Sequence, residues 1–459
     1  MPLPSRSTFQ PLFDGPFEVP PPSLTGMLAR LLPFLLSLGV VMNAAVIGTN
    51  QPARALTAES IATLPGPEQP AWQRYLAQSR AQRAKDQAFL AAELQRAELK
   101  VALVPLKSSV GRSLPLGEKP AWYAGAEARR RAHNVVTFQT PAGGWSKGFD
   151  ATDHPRAAGE GFSASNTSRH LSPGDHDQPA EPNWSYIGTF DNDATTRHLR
   201  FLARVATAAE NRGTEWQRAF NRGLAYIFAA QYPNGGWPQN YPLDGGYHDS
   251  ITFNDGAMTD ILLLLREVAA GQGEFAFVSS EHRSQATWSE KRGLACLLRC
   301  QVKVASRLTA WAQQCDMLTL APTSARNYEM PAISSGESAA ILGYLMTLEQ
   351  PSADVVRAVH AAAAWMEETK LQNVAWGPAE NGSGKTIRPS PGAGPLWARY
   401  YEIGSNRRLF GDRDKSIHDD VNGISLERRN GYGWYSKGPA RALERYAEWA
   451  RRAETQGRR

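Results

Sequence analysis

The residues best suited to chemistry lie in two Asp/Asn clusters. One is Ile187-Gly188-Thr189-Phe190-Asp191-Asn192-Asp193-Ala194. The other is Ile251-Thr252-Phe253-Asn254-Asp255. Each follows an apolar-aromatic run and precedes a helical pattern, which puts carboxylates at the mouths of two helices. Asp and Asn are also preferred helix N-caps, and a single Asp in such a place reads as one. The pair, with the turn Gln231-Tyr232-Pro233-Asn234-Gly235-Gly236-Trp237 between them, reads better as a site. Oxygen ligands of this kind suit a hard cation whose coordination an anionic substrate completes.

Two further polar groups follow. Thr323-Ser324-Ala325-Arg326-Asn327-Tyr328-Glu329 precedes Ser334-Ser335-Gly336-Glu337, and Trp397-Ala398-Arg399-Tyr400 precedes Arg413. Arginine binds carboxylates bidentately through its planar fork. The plainer readings are an Arg326–Glu329 ion pair and a Glu337 that favours a helix N-terminus behind a Ser334 or Ser335 cap. Trp145, Trp237, Tyr241 and Tyr247 can stack on a sugar ring or plug the end of a helical barrel; the sequence leaves both open.

Helices position these residues. Apolar residues recur at helical spacing over 71–99, 193–210, 216–231, 256–268, 336–348, 353–369 and 439–452. No stretch alternates long enough for an extended strand, and short strands are expected only near 311–320. Gln139-Thr140-Pro141-Ala142-Gly143-Gly144-Trp145 repeats as 231–237, and 433–438 echoes it. Helix, Gly-rich turn, aromatic and helix, repeated, predict hairpins around an axis: a mostly α fold, an (α/α) toroid, with a smaller irregular part flanking the cleft. Residues 151–183, rich in Gly, Ser, Asp, Pro and His, read as a long surface loop bordering that cleft.

A chain of 459 residues, 42% hydrophobic and 20% charged, can bury a sizeable core. A net charge of +6 is compatible with a polyanionic partner. No nucleic-acid motif accompanies it. Cys296, Cys300 and Cys315 give no disulfide framework. From Met27, a basic start, an apolar run to Ile47 and the small residues Ala53-Arg54-Ala55 resemble a secretory signal peptide. The expected division is a 1–55 leader cleaved after Ala55, an N-terminal helix and Pro-containing linker over 56–118, and a catalytic domain over 119–459. A secreted or periplasmic monomer without a stable membrane span is expected.

Trp145-Ser146-Lys147, the segments 188–196, 231–242, 246–255, 311–337 and 397–402, Arg413 and Arg428-Arg429-Asn430-Gly431-Tyr432-Gly433-Trp434 together resemble the family 10 pectate lyases. The resemblance runs from about Trp72 to Trp449. It implies Ca2+-dependent β-elimination of polygalacturonate. It places the calcium aspartates at Asp191 and Asp255, the catalytic arginine at Arg326 and the substrate-carboxylate arginines at Arg399 and Arg413. Lys147, Asn192, Trp237 and Tyr328 join them as cleft candidates by motif position. The sequence departs from the family at Cys315, where a His is expected, at 304–308 and at Gly256.

The chemistry fits these residue types. The C5 proton of galacturonate is poorly acidic beside an anionic carboxylate, and a cation with arginine clamps offsets the charge developing in the transition state. An arginine base departs from the rule that arginine stays protonated, so it requires neighbouring positive charge and an alkaline optimum. Two other readings compete. A glycoside hydrolase on the same toroid would use Asp191 and Asp255 as acid and base. A non-catalytic binder of acidic polysaccharide would hold Ca2+ without turnover.

Overall fold

Helices form where apolar residues return every three or four positions and a small polar residue or proline can begin them. The computed structural model describes residues 45–164, 172–178, 188–209 and 214–457. Among them are α1 (Ala58–Ala62), α2 (Gln69–Arg96), α3 (Val110–Ser113), α4 (Pro120–Tyr123) and α5 (Ala126–Thr137). Then come α6 (Ala194–Ala208), α7 (Thr214–Ala230), α8 (Ala257–Ala270) and α9 (Ser280–Arg299). The last are α10 (Ser335–Leu345), α11 (Ala353–Thr369), α12 (Leu426–Gly431) and α13 (Gly438–Gly457). The fold is mostly helical, as expected. Ser279 and Ser352 cap α9 and α11 by accepting from the His282 and Val355 amides. The expected apolar stripes are buried: Leu199, Leu202 and Val205 on α6, and Val355, Val359, Ala362 and Met366 on α11.

The hairpins α6–α7, α8–α9 and α10–α11 are packed pairs, and α6–α8, α8–α10 and α10–α13 join them in sequence. The Gln–Trp repeat supplies the joints. Trp145 and Trp237 donate their indole N–H to the carbonyls of Val135 and Ile227, at 2.7 and 2.9 Å. Gln139 donates to Gly143 and to Ala219 of α7, and Gln231 donates to Gly235 and to Ser289 of α9. Each glutamine thus closes its own turn and reaches the next hairpin. The tryptophan rings need room: a Cβ on Gly223 or Gly293 would sit 2.6 Å from the ring of Trp145 or Trp237. A third unit uses Gln301, bonded to Thr309 and Ala358, and Trp311, bonded to Leu297. There the Gly-Gly turn is replaced by the short strands Lys303–Val304 and Arg307–Leu308, the segment that departs from the family.

Strands are more numerous than expected. The strands Val46–Thr49, Ser416–His418, Arg408–Gly411, Tyr400–Tyr401 and Ile333–Ser334 form an antiparallel sheet in that order. A separate hairpin pairs Val374–Pro378 with Lys385–Pro389. The short strand expected near 311–320 is Gln314–Cys315.

Two expected boundaries need correction. Residues 46–56 are not a removable leader, because they are woven into the fold. Val46 pairs with His418, Asn50 is 2% exposed, and Asp249 accepts from the Leu56 amide at 3.0 Å. The rest of the expected signal peptide lies outside the described residues. Nor is 56–118 a separable helix and linker. Tyr75 of α2 donates to the Ala230 carbonyl, and Leu103 and Ser108 bond to Gly159 and Gly148. Residues 43–459 form one unit. Among the described residues no helix is long and apolar enough to cross a membrane.

Candidate active site

The two Asp/Asn clusters are repeats of one local structure. Phe190 and Phe253 donate their amides to the carbonyls of Gln239 and Gln313. A one-turn 3₁₀ segment follows each, Asp191–Asp193 and Asn254–Gly256, and leads into α6 and α8. Two successive residues in each are left-handed: Asn192 and Asp193 (φ 51° and 54°), and Asp255 and Gly256 (φ 51° and 79°). Short polar side chains or glycine tolerate this conformation best. Gly256, a departure from the family pattern, is therefore suited to its backbone. The register sets Asn254 opposite Asp191, and Asp255 opposite Asn192.

These turns meet in a polar cavity of about 340 Å³. Lys147, Asp191, Asn192, Asp255, Arg326, Tyr328 and Arg413 all line it, so seven of the expected site residues come together. The Asn254 amide bridges the two carboxylates, 3.4 Å from Asp191 Oδ1 and 3.1 Å from Asp255 Oδ2. Lys147 pairs with Asp191. Burial works against ionisation of Asp191, but Lys147 and then Arg326 override it and hold the carboxyl below its ordinary range. Asp255 goes the other way: burial and then the Asp191 charge push it up. A cation between them would relieve that repulsion. Among the described residues no group of three or more His, Cys, Asp or Glu side chains is spaced to hold a metal. The oxygen set is two carboxylates with the amides of Asn192 and Asn254.

Arg326 is gripped by Glu329. Its Nε and Nη2 donate to the two carboxylate oxygens at 2.9 and 2.5 Å, and its main-chain N–H adds a third bond at 3.0 Å. The plainer expectation of an ion pair is met, and the arginine still faces the cavity. Burial favours its neutral form, but Glu329 outweighs this and holds the guanidinium protonated well above its ordinary value. Glu329 itself, 2% exposed, is lowered to about 2; burial opposes this, and Arg326 prevails. Tyr432 also donates to Glu329.

Tyr328 is ringed by guanidiniums: Arg428, Arg326 and Arg413 lie 4.5, 5.0 and 5.6 Å from its ring centre. Arg413 pairs with Glu427 at 2.7 Å. Arg399 sits beside the cavity, 4.8 Å from the ring centre of Tyr432, and pairs with Glu337 at 3.0 Å. Glu337 is therefore an arginine partner rather than only a helix-terminus charge.

Trp237 does not belong in the cleft. It is 1% exposed, with its indole N–H spent on Ile227 and its ring packed against Gly293. Trp145 is likewise a core plug, and Tyr241 packs among Tyr75 and Tyr226. Tyr247 alone of the four lines the cavity, where it donates to Asp177. Asp177 brings the 151–183 loop to the cleft; 165–171 and 179–183 of that loop lie outside the described residues. Cys315 is buried in the strand opposite Ile251 and does not reach the cavity.

Sequence reasoning missed Asn254, Glu329 as a gripping carboxylate, Arg428 and Tyr432. Asn254 was findable from the Phe-Asn-Asp and Phe-Asp-Asn alignment. The remaining three required the distance between 326–329 and 428–432 to collapse.

A cavity lined by paired carboxylates and clustered arginines, fed by helical hairpins, defines an enzyme of acidic-polysaccharide breakdown. The pectic acid lyase family model matches residues 139–443, and the chain belongs to that family, as a family 10 polysaccharide lyase. A family 10 polysaccharide lyase from Cellvibrio cellulosa is 31% identical, with a TM-score of 0.59 over 74% of this chain and 99% of that one. A single-substitution variant of the Cellvibrio enzyme, in complex with trigalacturonic acid, is also 31% identical. Its TM-score is 0.58 over 71% and 95% of the two chains. No curated protein matches. Membership in a lyase family sets aside the hydrolase and binder readings.

Proposed function

We propose that this lyase cleaves polygalacturonate by Ca2+-dependent β-elimination, releasing 4,5-unsaturated oligogalacturonides. One observation carries the reading: the Asp191–Asn254–Asp255 oxygens and the Arg326, Arg413 and Arg428 guanidiniums share a single polar cavity. The trigalacturonic acid of the Cellvibrio complex supports the same substrate class. Charge supports the cation. Four cations, Lys147, Arg326, Arg413 and Arg428, line the cavity against four carboxylates, Asp177, Asp191, Asp255 and Glu329. Side chains alone leave a polyanion no net attraction, and a divalent ion supplies it.

Asp191 and Asp255, with amide oxygens of Asn192 and Asn254, would hold Ca2+, which supplies charge to offset the substrate carboxylate and acidify its C5 proton. The chain's own residues do the rest. Arg399 and Arg413 each hold one carboxylate already and keep further N–H donors for the uronate carboxylates. Lys147 and Tyr328 border the same space. Arg326 is assigned as acceptor of the C5 proton while the glycosidic oxygen leaves C4. At rest it is protonated against Glu329, so it must lose that proton first. Positive charge gathered beside it favours this, and turnover rises at alkaline pH.

The helical hairpins support a partial (α/α) toroid with the sheet region as the irregular flank. A monomer exported to the periplasm or medium suits a polymeric substrate and the basic-then-apolar start at Met27. Ultraviolet absorbance during incubation with polygalacturonate at alkaline pH tests the reaction. Absorbance should rise, vanish with EGTA and fall at least about 100-fold in Arg326→Ala. New reducing ends without absorbance would sink the elimination chemistry, and an optimum near pH 5 would sink Arg326 as base.

A further inference from the structure

We propose that Asn50 is a positioning residue for Arg326, so that the N-terminal arm is part of the catalytic apparatus. The inference rests on the assignment of Arg326 above. The Asn50 side-chain amide donates to three main-chain carbonyls of one loop: Arg326 at 3.0 Å, Asn327 at 3.0 Å and Glu329 at 3.2 Å. All of these atoms are withdrawn from water with Asn50, which is 2% exposed. Buried carbonyls need donors, and neither strand nor helix supplies one here.

The same residue reaches the second arginine. Its main-chain N–H donates to the Lys415 carbonyl at 2.8 Å, just past Arg413, and continues the pairing of Val46–Thr49 with Ser416–His418. Asn327 completes the lacing by donating to the Arg413 carbonyl at 2.6 Å. Ser324 donates to the next carbonyl of the arm, Gln51. The arm therefore fixes the Arg326 loop against the Arg413 loop through main-chain atoms. It touches neither guanidinium. A shift of the 326–329 turn would move Arg326 and Glu329 together, keeping their ion pair while misaligning the proton acceptor.

The family match begins only at residue 139, so nothing in it assigns a role to Asn50. The carbonyls come from residues more than 270 positions away in sequence.

The test compares the full chain with Asn50→Ala, with Asn50→Asp, which keeps the shape and loses the donors, and with Ile47→Ala. Ile47 packs on the core from the same strand without touching the loop. Both Asn50 variants should lower kcat about 10- to 100-fold, with KM for polygalacturonate within about twofold. Deuterium uptake should accelerate in a peptide spanning 323–330. Ile47→Ala should lower Tm and leave kcat unchanged. An Asn50→Ala enzyme with wild-type kcat and wild-type uptake overturns the inference. So does a kcat loss in Ile47→Ala as large as in Asn50→Ala, since that would make the role one of stability alone. Should the wild type make no unsaturated product, the assigned reaction falls, and the deuterium uptake still decides whether Asn50 holds the loop.

Discussion

Replacing Glu329 by glutamine would test how the site stores its electrostatic energy. The carboxylate accepts three hydrogen bonds from Arg326 and one from Tyr432 while almost wholly buried. Its pKa drops from 4.5 to about 2 in the folded chain. At about 1.4 kcal/mol per unit, the carboxylate contributes on the order of 3 kcal/mol. The sign follows from the depressed value. The contribution is full above the unfolded pKa near 4.5 and is lost as pH falls through about 2. Urea unfolding at pH 7 should therefore find Glu329→Gln about 3 kcal/mol less stable than wild type. The gap should shrink to roughly half near pH 3, where the unfolded wild type has taken up its proton. Turnover supplies a second reading. Without Glu329 the Arg326 proton is held less tightly, so the alkaline limb of the rate profile should move to lower pH, even as kcat falls. A stability gap below about 1 kcal/mol that ignores pH would refute the claim that this pair is strongly coupled. An alkaline limb that stays in place would remove Arg326 from the proton transfer.

The other expectations are simpler. Asp255→Asn removes a charge that repels Asp191, so Tm in EGTA should rise, while the Tm increase on adding Ca2+ should largely disappear; a full calcium response would take Asp255 out of the site. Trp237→Ala should cost about 3–5 kcal/mol in urea unfolding, and at a temperature where it stays folded it should bind trigalacturonate normally; weakened binding would return the ring to the cleft. A chain beginning at Ala45 should match the full chain in Tm and kcat, whereas one beginning at residue 56 should lose activity through loss of the strand Val46–Thr49 and of Asn50; full activity of the shorter chain would contradict the weave of the arm.

Periodicity made most of the helical framework legible. The α6, α8 and α11 stripes of Leu, Val and Ile are continuous, and their ends fall within a few residues of the spacing-based bounds. Helix α9 was harder because its buried residues include Ala286, Ser289 and Gly293, a face made for closeness rather than for greasy bulk. The third Gln–Trp unit escaped notice for a similar reason: Gln301 and Trp311 keep their bonds, but the glycines between them have given way to a strand pair. At the site, the type of each residue announced its chemistry, and pairing did not. Arg326–Glu329 is local and was readable. Arg399–Glu337, Tyr432–Glu329 and Asn50 with its three carbonyls join distant segments, and no spacing rule reaches that far. Trp237 shows the converse limit: an aromatic on a Gly-rich turn looks the same in sequence whether it meets sugar or plugs a helix hairpin.

The pairing of Val46–Thr49 with Ser416–His418 also sets an order of assembly. Synthesis runs from the N-terminus, so the arm emerges first and its partner strand nearly last. The hairpins α6–α7 and α8–α9 can pack from neighbours as they appear, but the 326–329 loop cannot receive its three hydrogen bonds until both ends of the chain exist. Ring closure is then the final step, and a fragment broken off early would carry most of the helices yet leave its proton-acceptor loop unbraced. The enzyme's completeness is thus checked by its own topology at the moment the last strand docks.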